Sequence, residues 1–167
     1  MRKRKNLRLK KYDYSQNGMY FVTICTQDKK CFFGRVSNDK VDLNIVGRIA
    51  KKYLIDIAKH YSSVNIIEFV VMPNHVHLII EICDAVVAEH CSVTTRNNKN
   101  YGLLSKIIKS YKNAVTKEIN KKFGKNNFKW QRSYYDHIIR KEESLQKIRE
   151  YIIINPQQWN KDELFVN

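Results

Sequence analysis

Two histidines one residue apart, His75 and His77, interrupt an otherwise apolar run, "FVVMPNHVHLII" at 69–80. Alternate side chains of an extended strand share a face, so the two imidazoles stand about 6.5–7 Å apart on one side of the backbone. Rings placed this way can converge on one metal ion. A bare pair of this kind is more often structural, satisfied by the core or by solvent. Here the strongly apolar flanks mark the pair as buried polar groups that need partners. A second group lies in "EYIIINP" at 150–156. Tyr151 and Asn155 are four residues apart and stack on one helix face. Asn155 offers a carbonyl oxygen to a hard cation. A site made of His75, His77 and Asn155, with open water positions, suits Mg²⁺ or Mn²⁺ acting as a Lewis acid on a phosphate. A tyrosine hydroxyl beside it can attack that phosphate and form a covalent intermediate. The same spacing fits a plainer role for Tyr151, as a core aromatic grouped with Leu145, Ile148 and Ile152, and both readings stand at this point.

Positioning these groups requires a strand for the histidines and a helix for the tyrosine. "MYFVTICT" (19–26), "VNIIEFVVM" (64–72), "HVHLIIEI" (75–82) and "YYDHIIR" (134–140) are β-branched or aromatic in character and read as strands. The second and third join at Pro73-Asn74, where Pro73 presets one turn residue and Asn74 tolerates unusual dihedrals. Helical spacing predicts helices over 44–61, with Asn44 as N-cap, over 101–123, and over 141–156. Gly34 and Asn38-Asp39 signal turns of a loop or short hairpin, and 84–100 loses all periodicity. The order β, α, β, β, α, β, α is an α+β, ferredoxin-like βαββαβ plan. It predicts an antiparallel sheet with helices on one face and an additional C-terminal helix carrying Tyr151.

The totals narrow the partners. A chain of 167 residues, 43% hydrophobic and 11% aromatic, is long enough for one real core. It contains no apolar run long enough to span a membrane and no secretory signal pattern. Cys25, Cys31, Cys83 and Cys91 match no common zinc spacing and are expected to be reduced thiols of a cytoplasmic protein. The 31 Lys and Arg outnumber the 16 Asp and Glu, for a formal charge of +15. Such a field gathers polyanions, with nucleic acid as the first candidate. Residues 1–14 form a basic arm that includes Arg2, Lys3, Arg4 and Lys5, and 15–167 a single domain. In "KWQRSYY", Trp130 and Arg132 combine an aromatic with a cation, as single-strand binding requires. Trp130 is equally suited to capping the core. His137 suits a role in positioning the site or binding DNA, and equally a structural one.

The motif "VVMPNHVHLII" resembles that of the single-tyrosine HUH endonucleases. Together with "LLSKIIKSYKNAVTKEIN", "WQRSYYDHIIR" and "IREYIIINP", it is more closely similar to the REP-associated tyrosine transposases of the IS200-like family. The blocks occur in the family's order and cover most of residues 15–160. The resemblance implies that His75 and His77 bind a divalent metal, that Asn155 completes its site, and that Tyr151 is the nucleophile. Single-stranded DNA would then be cleaved through a 5′-phosphotyrosine link with release of a 3′-OH, and attack by another 3′-OH would transfer the strand. It implies hairpin-forming repeats as substrate, no nucleotide cofactor, and a monomer in preference to a homodimer. Tyr134 and Tyr135 are rival tyrosines. A non-catalytic single-stranded nucleic-acid-binding module on the same sheet is the alternative, and it predicts that Tyr151→Phe changes nothing.

Overall fold

The computed structural model describes residues 17–83, 102–125 and 127–166. The basic arm with Arg2, Lys3, Arg4 and Lys5, its boundary with the domain, the aperiodic stretch 84–100 and Cys91 lie outside the described residues. The chain runs through β1 (Gly18–Cys25), β2 (Gly34–Ser37), β3 (Lys40–Leu43), α1 (Ile45–Ile55), α2 (Ile57–His60), β4 (Val64–Val71), β5 (His75–Ile82), α3 (Leu103–Phe123), β6 (Tyr135–Ile139) and α4 (Glu142–Ile154). Four strands form one sheet in the order β4-β5-β1-β6, every pair antiparallel. This is the ferredoxin-like arrangement. The β2-β3 hairpin is an insertion ahead of α1, turned by Asn38 and Asp39 with φ of 50° and 59°. Two positive φ values in a two-residue loop match the twist of the flanking strands, and Asn and Asp tolerate them.

The two faces of the sheet bury different partners. Tyr20, Val22 and Ile24 of β1 and Val76, Leu78 and Ile80 of β5 pack with Ile49, Ala50 and Leu54 of α1 and Leu104, Ile107, Ile108, Tyr111 and Val115 of α3. On the opposite face Ile79 and Ile139 meet Leu145 and Ile152 of α4. The helices thus divide between the faces: α1 and α3 cover one, and α4 lies across part of the other, where the side chains of His75 and His77 also project. Strand β5 is buried on both faces because both are covered.

A β-bulge between Ile66 and Glu68 shifts the β4 register. Before it, Ile66 faces the α1/α3 core; after it, Phe69 does, and Val70 stands opposite His77. One extra residue thereby reverses which parity of the strand points inward. The helix expected over 44–61 is two helices, divided at Asp56, whose backbone N–H reaches both Lys52 and Leu54 carbonyls. Asn44 is the N-cap, its Oδ1 accepting from the Gly47 N–H at 3.0 Å. No helix among the described residues is long and apolar enough to cross a membrane.

Candidate active site

The β4-β5 turn is closed by the Met72 N–H donating to the His75 carbonyl at 2.8 Å, with Pro73 and Asn74 between. Asn74 does not adopt a positive φ. Its value there is its side chain, not the tolerance of unusual dihedrals expected from sequence. The tight turn fixes the register that puts His75 and His77 on the α4 face, opposite Cys25 and Thr23 of β1. Both rings are buried, at 0% and 3% exposure, with centroids 4.4 Å apart.

Each ring is held through its Nδ1. That of His75 lies 2.7 Å from Asn74 Oδ1, and that of His77 lies 2.8 Å from Thr23 Oγ1. The Phe21 ring stacks on His77 at 5.3 Å. Helix α4 brings Tyr151 over this pair: its hydroxyl is 3.2 Å from His77 Nε2, and the rings meet edge-on at 5.2 Å. Sequence periodicity left Tyr151 open as a core residue. It is 38% exposed and stands at the edge of the apolar cluster that Leu145 and Ile152 fill. Asn155 caps the C-terminus of α4 and is buried.

Beyond α4 the chain turns back through a short 3-10 turn at Trp159–Lys161 and delivers Asp162. Its Oδ2 accepts from Asn155 Nδ2 at 2.8 Å and from the Tyr151 hydroxyl at 3.4 Å, and lies 4.0 Å from His75 Nε2. The last distance is too long for a hydrogen bond. Burial, reinforced by the Lys29 cation, pushes His75 down to about 3, so this ring is neutral and the contact is not an ion pair. Burial and the neighbouring His75 hold His77 well below its ordinary value as well, against the pull of Asp162. Tyr151 is pushed up to about 12 by burial first and by the Asp162 carboxylate second.

His75, His77 and Asp162 place one ligand atom each within 4.8 Å of one another. Two buried polar atoms at this point, His75 Nε2 and Asn155 Oδ1, have no hydrogen-bond partner. Asp162 is the residue that sequence reasoning missed. It follows Tyr151 by eleven positions, beyond the end of the helix that carries the tyrosine. The available signal was the apolar company of the segment: Trp159 is buried and packs its ring on Phe165 at 5.2 Å. A chain end that carries such anchors docks rather than trails.

A cavity of about 580 Å³ opens beside the cluster, lined by Thr23, Cys25, His77, Tyr135, Tyr151 and Asp162 among others. The rival tyrosines both line this cavity and differ in what else they touch. Tyr134 packs against the α1/α3 core, its hydroxyl directed to Ser105 Oγ at 3.4 Å. Tyr135 is exposed on β6 opposite Thr23 and lines the cavity. His137, opposite Phe21, is exposed on the same face. Trp130 lies within an aromatic group with Phe33, Phe128 and Tyr111, and its indole N–H donates to the Lys112 carbonyl at 3.2 Å. Arg132 is exposed between Gln131 and Ser133, two residues of the cavity wall.

Residues 14–155 match the family model described as transposase IS200 like. An uncharacterised protein of Haemophilus influenzae is 37% identical over 171 residues, 98% of this chain and 94% of the relative. A second protein of Haemophilus influenzae, provisionally named a REP-associated tyrosine transposase, is 26% identical over 86% of this chain and 73% of its own. Among solved structures, a REP-associated tyrosine transposase bound to a REP hairpin superposes with a TM-score of 0.56 at 18% identity, covering 90% of this chain and 73% of that one.

Proposed function

The chain belongs to the IS200-like transposase family, and on that premise we propose that it is a metal-dependent single-stranded DNA endonuclease and strand transferase acting through a 5′-phosphotyrosine at Tyr151. The observation that carries this reading is the placement of the Tyr151 hydroxyl, 3.2 Å from His77 Nε2, on a buried cluster of two neutral imidazoles and one carboxylate. The donors fit a divalent ion. A neutral imidazole keeps a lone pair for a metal, and buried donors without a partner are the exception in folded proteins. His75, His77 and Asp162 would hold Mg²⁺ or Mn²⁺, with Asn155 Oδ1 as a further oxygen. Such an ion, when bound, polarises the scissile phosphate and offsets the charge that develops on it.

The protein's own groups supply the rest. The Tyr151 oxygen bonds to phosphorus as the bond from phosphorus to the 3′ oxygen breaks, and that oxygen takes up a proton to leave as a 3′-OH. With the phenol held at about 12, its proton is still in place at neutral pH and has to depart as attack proceeds. With His77 Nε2 given to the metal, Asp162 Oδ2, 3.4 Å away, and water would be the acceptors left within reach. Attack on the phosphotyrosine by another 3′-OH reverses the chemistry and joins strands.

The relative solved with a REP hairpin supports hairpin-forming repeats as the substrate class, and the +15 charge supports a polyanion. Arg132, between two residues of the cavity wall, and His137, on the sheet face of Phe21, are the exposed candidates for DNA contact. The arm residues Arg2, Lys3, Arg4 and Lys5 add phosphate contacts to the single domain 15–167. The protein acts as a monomer in the cytoplasm, with the nucleoid as its setting. The test is a labelled hairpin oligonucleotide incubated with the protein and Mn²⁺ and run on a denaturing gel. A protein–DNA adduct that resists SDS is expected, and is lost in Tyr151→Phe and His75→Ala. DNA that is bound but never linked would overturn the enzyme reading in favour of a binding module.

A further inference from the structure

Asn74 is wholly buried, yet every polar atom of its side chain and its carbonyl has a partner. Its Nδ2 donates to the Leu164 carbonyl at 2.7 Å and to the Lys29 carbonyl at 3.1 Å. Its own carbonyl accepts from the Thr26 N–H and the Thr26 hydroxyl, both at 2.9 Å. Its Oδ1 lies 2.7 Å from His75 Nδ1. The two backbone carbonyls settle the orientation of the amide, because a carbonyl oxygen can only accept and so must face the NH₂ group. The amide oxygen is then left for His75, and since that oxygen is itself only an acceptor, His75 Nδ1 must carry the proton. A neutral imidazole holds one ring proton, so Nε2 is the lone-pair nitrogen. That is the atom left buried without a partner, directed toward Asp162.

We propose that Asn74 is a positioning residue: it locks His75 in the Nδ1–H tautomer, with Nε2 presented to a metal, and ties that ligand to the segment carrying Asp162. This rests on the metal-site reading above. The second part follows from the bond to Leu164, two residues beyond Asp162. The Leu164 N–H also donates to Asp162 Oδ1 at 2.6 Å, so one amide side chain holds a histidine and a carboxylate from opposite ends of the fold in fixed relation. His77 has no equivalent lock. Its Nδ1 partner, the Thr23 hydroxyl, can donate or accept and so leaves that tautomer undecided.

The direct test needs no variant of Asn74. Long-range ¹H–¹⁵N correlation spectra of the metal-free full chain with labelled histidine, at neutral pH, report which ring nitrogen carries the proton. The His75 signals are assigned by their loss in His75→Gln. An Nδ1–H pattern for His75 is expected, and an Nε2–H pattern overturns the proposal. Titration with Mn²⁺ alone tests the consequence. Removing the partner that orients a metal-bound histidine weakens binding by about 10–100-fold, and Asn74→Ala is expected to do so. Asn74→Asp keeps the acceptor while losing both N–H donors, and is expected to retain the His75 tautomer and bind Mn²⁺ more tightly than Asn74→Ala. A folded Asn74→Ala that binds Mn²⁺ like the unaltered protein overturns the positioning role. Failure of the unaltered protein to bind Mn²⁺, with His75 in the Nδ1–H form, overturns the metal reading and leaves the tautomer assignment standing.

Discussion

Tyr151 is 38% exposed, and its hydroxyl contacts His77 and Asp162 at the cluster's edge. Tyr151→Phe therefore removes the nucleophilic oxygen with little change in packing. Adduct formation should vanish while the urea midpoint moves by an amount equivalent to no more than about 1 kcal/mol, the worth of one ordinary hydrogen bond. A large loss of stability would mean that the hydroxyl is structural. The histidines predict a pH dependence of the opposite kind, in stability. In the unfolded chain they take up protons near their ordinary value of about 6.5, whereas His75 in the fold resists until about 3 and His77 is held low as well. Below about pH 6.5 the unfolded state binds protons that the folded state refuses, so stability falls with pH. The slope approaches about 1.4 kcal/mol per pH unit for each ring. Chelator-treated protein should lose about 2–3 kcal/mol between pH 7.5 and 5.5 by urea unfolding. His75→Gln should remove about half of that loss. A flat profile would mean that the rings are not buried as neutral groups.

Elements set by local pattern were legible in the sequence, and contacts made by chain reversal were not. Strand β5 spans the segment 75–82 that follows the Pro73-Asn74 turn, and α3 follows its apolar positions 104, 107, 108, 111, 115 and 119. His75, His77 and Tyr151 were named as candidates because strand and helix periodicity fix which face each takes, and the nucleophile's role for Tyr151 came from the resemblance. Asp162 was not named, because its place depends on the turn at Trp159–Lys161 and on the bond from Asn74, neither of which has a period. The segment "KWQRSYY" divides in the same way. Composition made Trp130 and Arg132 one motif, but backbone direction points them apart: Trp130 into the aromatic group under α3, Arg132 outward beside the cavity. Trp130→Ala is expected to cost about 3–5 kcal/mol of stability, as for other packed aromatics. Arg132→Ala is expected to leave stability within about 0.5 kcal/mol and to weaken binding of single-stranded DNA. Thermal melts and filter binding on the two variants read both quantities. A Trp130→Ala protein that melts normally but fails to bind DNA would restore the stacking role.

At the scale of the whole molecule, 31 basic against 16 acidic residues produce a field that no single contact accounts for. Two ion pairs on the α1-α2 segment, Lys52 and Lys59 with Asp56, neutralise little of it, and both lysines are well exposed. Lys106, Lys109, Lys117, Lys121 and Lys122 of α3 are exposed, while Lys112 is half-buried and turned to the Gln131 carbonyl, and α3 itself covers the side opposite the histidines. Charge is therefore presented on both sides of the molecule, as expected if a folded hairpin contacts more surface than the scissile phosphate requires. Binding should then depend steeply on salt. Each phosphate neutralised on a single strand contributes a slope of about −0.7 in log K against log salt, so about five contacts give roughly −3.5. Raising salt from about 50 to 200 mM should weaken binding on the order of 100-fold. Arg132→Ala should reduce the slope by about 0.7 without altering which hairpins are preferred. A shallow slope with intact affinity would place recognition in stacking and base contacts at the cavity, and would leave the excess positive charge without a role in DNA capture.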